Sequence, residues 1–246
     1  MSRDLRDPGR GDAPLGAEGL PERRSARSGS FDPGTAPDVM AGGAPPAGRS
    51  ARFFGERGTP SGFTARAFTK AMGFTQDDLA KPVIGIAQTW SEFNNCNAHF
   101  RQVAEAVKRG VWQEGGLPLE FPTISLGEVH VQPTTMLFRN LMAMDTEEMI
   151  RAQPMDAVVL LAACDKTTPA ALMGAASADV PAIMVSGGPM LNGRHDGREL
   201  GACTDCGRAT AELRAGTIDA TEYSAIEDAI CRSAGSCMVM GTASTM

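Results

Sequence analysis

The sequence predicts an α/β domain, a parallel sheet flanked by helices, and three observations predict it. Four short runs, 83–87, 122–126, 157–162 and 182–185, are apolar on both faces, as strands covered from both sides in a parallel sheet are. Helical stretches separate most of them, at 98–114, about 134–151 and 168–178, with another at 222–232. The composition also changes near Phe53. Residues 1–52 are rich in Gly, Pro, Ala, Arg, Ser and Asp without hydrophobic period. Such a segment buries too little apolar surface to offset its chain entropy, so it is expected to be a disordered tail ahead of a domain over 53–246. Residues 61–72 look like a short helix with Phe63 and Phe68 on its buried side.

With 246 residues, 42% of them hydrophobic, the chain can bury a sizeable core. A formal net charge of −6 gives no basic footprint for nucleic acid. No apolar run approaches the ~20 residues of a membrane span. The N-terminus lacks the apolar core of a secretory signal, and acids such as Asp4, Asp7 and Glu18 interleave with its arginines. A cytoplasmic setting is expected, where cysteines serve as metal ligands or catalytic groups more often than as disulfides.

In an open α/β sheet, ligands bind beyond the carboxyl ends of the strands. After the first run comes Asn94-Asn95-Cys96-Asn97, after the second Gly127-Glu128, after the third Cys164-Asp165-Lys166, and after the fourth Ser186-Gly187-Gly188-Pro189. Cys237, in Gly235-Ser236-Cys237, has a similar setting. Three widely spaced thiols suit an iron–sulfur cluster with one iron partly open, which makes a reactive site more than an electron wire. Glu128 and Asp165 are hard oxygen donors suited to Mg²⁺. Taken singly, Cys164-Asp165 reads as well as a buried cysteine before a capping turn, with Thr168 as cap and Pro169 at the first helical position. Glu128 alone reads as a solvated loop carboxylate, and the glycine turn as purely structural. Their convergence on one sheet edge separates the readings. Cys203-Thr204-Asp205-Cys206 lacks the second pair that zinc needs, so it is assigned to a surface loop without a ligand role. Cys231 falls inside a helix pattern as a core thiol, and His99 fits helix-start packing.

Cys164-Asp165-Lys166-Thr167-Thr168-Pro169-Ala170, Val185-Ser186-Gly187-Gly188-Pro189-Met190, and Ala234-Gly235-Ser236-Cys237 leading into Gly241-Thr242-Ala243-Ser244-Thr245-Met246 carry a resemblance. From about Phe53 onward the chain resembles the dihydroxy-acid dehydratase/6-phosphogluconate dehydratase family of iron–sulfur hydro-lyases. The resemblance implies that Cys96, Cys164 and Cys237 hold the cluster. It implies that Glu128, Asp165 and Lys166 hold Mg²⁺, the lysine being carbamylated in members with the [2Fe–2S] form, which is expected here over [4Fe–4S]. The reaction implied is loss of water from a 2,3-dihydroxy acid to give a 2-keto acid. The stretch Gly127 to Asn140 resembles the sugar-acid (aldonate) branch, and its residues 133–136 read either as polar contacts for the extra hydroxyls or as the start of the helix near 134–151, with Thr134 or Thr135 as cap. The alternatives are a dihydroxy-acid dehydratase of branched-chain amino-acid biosynthesis and, from another class, an iron–sulfur electron-transfer module or a non-catalytic interaction remnant. Family members continue into a second domain that carries the catalytic base and a further Mg²⁺-binding acid. The chain is therefore expected to be an N-terminal fragment, oligomeric as the full-length enzyme and inactive alone.

Overall fold

The computed structural model describes residues 48–202 and 204–237. The expected tail up to residue 47, Cys203 and the closing Gly241–Met246 motif lie outside the described residues. Packing already begins ahead of Phe53. Ser50 is fully buried and gives its N–H and hydroxyl to Asp156 at 2.9 and 2.6 Å. Asp156 also accepts the Val83 N–H at 2.8 Å, so one carboxylate fastens this segment to the sheet.

Two helices, α1 (Ala51–Phe54) and α2 (Pro60–Ala71), precede strand β1 (Val83–Gln88). Then follow α3 (Phe100–Gln113), β2 (Leu117–Pro122), α4 (Arg139–Ala152), β3 (Ala157–Ala162), α5 (Thr167–Ala178) and β4 (Ala182–Ser186). The four strands form one parallel sheet in the order β2-β1-β3-β4. The chain leaves β1 for β2 on one side and returns to β3 on the other, so a topological switch point lies between β1 and β3. A small hairpin, β5 (Gly193–His195) and β6 (Arg198–Leu200), and helices α6 (Thr204–Ala215) and α7 (Ala220–Ile230) complete the described chain. The hairpin turns on Asp196-Gly197, both at positive φ, as a two-residue turn between twisted strands requires.

Alternation along the strands builds two cores. Val83, Ala87, Val158 and Leu160 face a cluster with Leu79, Leu117 and Ile150. Ile86, Val159 and Leu161 face Phe100 and Ala104 of α3. Each fully buried large aliphatic side chain contributes about 1.5–3 kcal/mol. Helices α4 and α5 pack tightly because Gly174 lies on the neighbouring backbone: a Cβ there would stand 2.6 Å from the Ala143 carbonyl oxygen and 2.9 Å from the Glu147 nitrogen.

Several expectations are corrected. The second strand is 117–122, not 122–126, because this edge strand tolerates Pro118 and Pro122 where a central strand would not. Glu128 therefore follows a loop and does not sit at the strand end. Phe63 and Phe68 are 70% and 72% exposed; α2 buries Gly62 and Thr69 instead. The helix after Cys164 starts at Thr167 with Lys166 in the cap position, and the Thr168 hydroxyl caps nothing. Cys206 lies within helix α6 rather than a loop, and Cys231 is an exposed residue at the end of α7 rather than a core thiol. No helix among the described residues is long and apolar enough to cross a membrane.

Candidate functional site

Cys96 and Cys164 follow β1 and β3, the strands that flank the switch point. Cys96 sits in a tight turn, Asn95–Asn97, held by buried amides. Asn97 donates to the hydroxyls of Thr89 and Ser125 at 3.0 and 3.2 Å, and Asn94 donates to Ser125 at 3.1 Å. Thr89 in turn donates to the Leu161 carbonyl at 2.7 Å, which ties the turn to β3. Cys164 is buried, and its φ of 78° is a left-handed conformation that a side chain rarely adopts. Cys237 arrives on a strip that pairs with the turn after β4, where Ser236 N–H donates to Gly188 O at 2.8 Å and Met190 N–H to Ser236 O at 3.0 Å. Gly235 carries φ 138°, and a Cβ there would meet the Met190 nitrogen at 2.7 Å.

These loops bring the three expected cluster cysteines together. The Cys96 thiol lies beside those of Cys164 and Cys237. The contacts with Cys164 and then Cys237, with burial behind them, push the Cys96 thiol far above the ordinary value. Cys96 thus holds its proton until a cation compensates the thiolate charge, so metal loading at this thiol releases a proton.

The expected Mg²⁺ residues adjoin them. The Cys164 thiol donates to Asp165 Oδ1 at 3.2 Å, and Asp165 Oδ2 accepts from Lys166 Nζ at 3.0 Å. Lys166 Nζ also lies 3.2 Å from Glu128 Oε2. Thr135 gives both its N–H, at 3.0 Å, and its hydroxyl to the same Glu128 oxygen. Burial raises the Glu128 carboxyl, but the bonds from Thr135, Thr134 and Lys166 outweigh it and hold the group down at about 2. For Lys166, burial is likewise outweighed by Asp165 and Glu128, which push the ammonium up. All six expected site residues thus lie on one unbroken run of contacts: thiols at one end, carboxylates at the other, Asp165 touching both.

Sequence reasoning missed the supports. Thr135 anchors Glu128, and Thr134, which accepts the Met136 N–H and starts the following turn, also helps to lower the Glu128 carboxyl. Asn97, Thr89 and Ser125 fix the Cys96 turn, and only polar residues beside an apolar strand pointed to them. Thr167 and Thr168 carry buried hydroxyls with no partner among the described residues, next to Asp165 and Lys166. Soft sulfur donors on one side, and hard oxygens with spare hydroxyls on the other, fit an iron–sulfur cluster and a hard divalent cation.

Comparison with known proteins identifies the family. Residues 81–246 match the family model described as dihydroxy-acid/6-phosphogluconate dehydratase N-terminal. The L-arabonate dehydratase of Azospirillum brasilense is 53% identical over 186 residues, covering 75% of this chain and 32% of the relative. The 6-deoxy-6-sulfo-D-gluconate dehydratase of Pseudomonas putida is 48% identical, covering 80% and 34%. The dihydroxy-acid dehydratase of Moorella thermoacetica is 41% identical, covering 74% and 34%. The chain thus spans about one third of the length of the curated relatives it matches. By motif, fold and similarity, the chain belongs to the dihydroxy-acid/6-phosphogluconate dehydratase family, whose N-terminal domain it carries.

Proposed function

We propose that this domain holds the cluster and the metal of a hydro-lyase that dehydrates a sugar acid to a 2-keto-3-deoxy acid. The observation that carries the reading is the run of contacts from Cys96 through Cys164, Asp165 and Lys166 to Glu128 at the switch point of the sheet. Cys96, Cys164 and Cys237 would hold the iron–sulfur cluster, and Glu128, Asp165 and Lys166 the Mg²⁺. When bound, these groups supply Lewis acidity for a poor hydroxide leaving group and positive charge for a developing enolate. The chain's own residues hold and orient. Asp165 fixes the spacing between the thiol and carboxylate halves, and Thr135 holds the Glu128 carboxylate in place with two hydrogen bonds. Lys166 joins the two carboxylates as a cation, and carbamylation would turn it into another oxygen donor. The base that removes the C2 proton is expected from the part of the relatives' length that this chain does not span. We place the substrate among aldonates because relatives named for sugar acids reach 43–53% identity, against 40–41% for those named dihydroxy-acid dehydratase.

The test has two arms. Anaerobic reconstitution of the chain with iron and sulfide should give a coloured cluster that becomes EPR-active on one-electron reduction with dithionite, and a chain that retains no iron overturns the cofactor reading. The full-length enzyme with Mg²⁺ should release 2-keto acid from L-arabonate or D-xylonate faster than from 2,3-dihydroxyisovalerate. The reverse order would move it to the branched-chain biosynthetic branch.

A further inference from the structure

We propose that His99 is a positioning residue of the three-thiol centre: its ring ties the turn after β4 to the start of α3 and so sets how far Cys237 stands from Cys96. This rests on the cluster reading above.

His99 flanks the N-terminus of α3, three residues past Cys96. Its Nε2 lies 2.8 Å from the Gly187 carbonyl oxygen, which can only accept, so Nε2 carries the hydrogen. The ring stacks on the fully buried Phe100 at a centroid distance of 5.0 Å. It also lies against Gly187, where a Cβ would come 2.9 Å from ring Cε1 and 3.0 Å from Nε2. Nδ1 is buried with no partner among the described residues. A buried lone pair without a partner costs free energy, and Leu or Phe would fill this space without that cost. What histidine adds over simple packing is the Nε2 bond to Gly187.

That bond closes a ring. Gly188 and Met190 bond to Ser236, the neighbour of Cys237, and Gly235 N–H donates to Asn95 O, beside Cys96, at 3.2 Å. The Cys96 turn, the Cys237 strip and the turn after β4 thus form one circuit, and His99–Gly187 is a side-chain link within it. Opening the link has unequal effects. Asn97 still pins Cys96 to Thr89 and Ser125, whereas the strip carrying Cys237 loses its tie through Gly187 to α3.

The full chain, His99→Phe and His99→Gln should be compared in two assays. The first measures iron retained after anaerobic reconstitution. The second treats metal-free protein with diamide, which takes two electrons and two protons from a thiol pair, and maps the disulfides by mass spectrometry. His99→Phe should retain about tenfold less iron, the scale of losing a support behind metal ligands. Its disulfides should shift from Cys96–Cys237 to Cys96–Cys164, and His99→Gln, with an amide that reaches Gly187, should recover both. Iron content and disulfides like those of the parent in His99→Phe would overturn the proposal. If the parent retains no iron but His99→Phe still redirects the disulfides, the cluster reading falls and the positioning role stands. Should His99→Phe lose its cooperative melt, Gly187→Ala, which crowds the ring directly, takes its place with the same expectations and the same overturning result.

Discussion

Cysteine sulfurs meet two different settings in this domain. At the switch point, Cys96, Cys164 and Cys237 come from three distant loops and are buried or half-buried within hydrogen-bonding reach of Cys96. On the α6–α7 pair, Cys206 and Cys231 are exposed, Cys206 on a helix and Cys231 at a helix end. The second region rests on a small core, Leu200, Ala209 and Ile226, on a His195–Glu222 hydrogen bond at 2.8 Å and on an Arg208–Asp205 ion pair at 2.9 Å. The lesson concerns how thiols are gathered. Cys203 and Cys206 are near in sequence, yet Cys206 is carried on an exposed helix surface. The three other thiols meet because strand order and loop hydrogen bonds bring their ends together.

The sharpest way to break this comparison is to change one sulfur in each region. Cys164→Ser should lower iron retained after reconstitution by more than about tenfold, because serine is too hard a donor to replace thiolate, while Cys206→Ser should match the parent. Equal losses in the two variants would erase the distinction. A smaller effect is expected at the carboxylate end. Glu128→Gln should weaken Mg²⁺ binding roughly ten- to a hundredfold with the iron content unchanged, read by calorimetry on the reconstituted protein. Unchanged Mg²⁺ affinity would remove Glu128 from the metal site.

The smallest effect lies in acid stability. Glu128 is held down at about 2 in the fold against an ordinary 4.5, so its contribution is complete above pH 4.5 and is lost as pH falls toward 2. Thr135→Val removes a hydroxyl donor to this carboxylate, which should cost about 1–3 kcal/mol at neutral pH and flatten that acid limb. Urea melts of metal-free protein from pH 7 to 2.5 provide the check, and parallel curves for parent and variant would exclude the Thr135–Glu128 bond as its origin.

The sheet was legible where strands are central. The run 157–162 matches β3 end to end and β1 extends one residue further, because strands covered on both faces read as continuous apolar runs. β4 also extends its run by one residue, although it is an edge strand whose residues are half-buried or exposed. The other edge strand, β2, was misplaced, since its prolines look like breakers unless its place at the edge is known. In α2, the alternation of phenylalanines suggested a buried face that the fold turns to solvent. The six candidate site residues stood out because their chemistry is scarce; Cys96, Cys164, Asp165 and Lys166 follow strands, whereas Glu128 follows a loop and Cys237 the stretch after α7. Their supports did not. Thr135, Asn97 and His99 are common residues whose role arises from contacts across 7, 8 and 88 positions of sequence.

The two carboxylate-bearing segments ride on different helices: Thr135, which anchors Glu128, leads into α4, and Lys166 leads into α5. Where those helices touch, Gly174 leaves no space for a methyl group, and the atoms a methyl would strike include main-chain atoms of Ala143 and Glu147. Main chain cannot rotate away as a side chain can, so the helices themselves would have to part. Gly174 thus acts as a spacer of zero thickness, roughly two helical turns from Lys166. The gap across which Glu128 and Lys166 meet is gauged in the helix interface, roughly two helical turns behind the carboxylates.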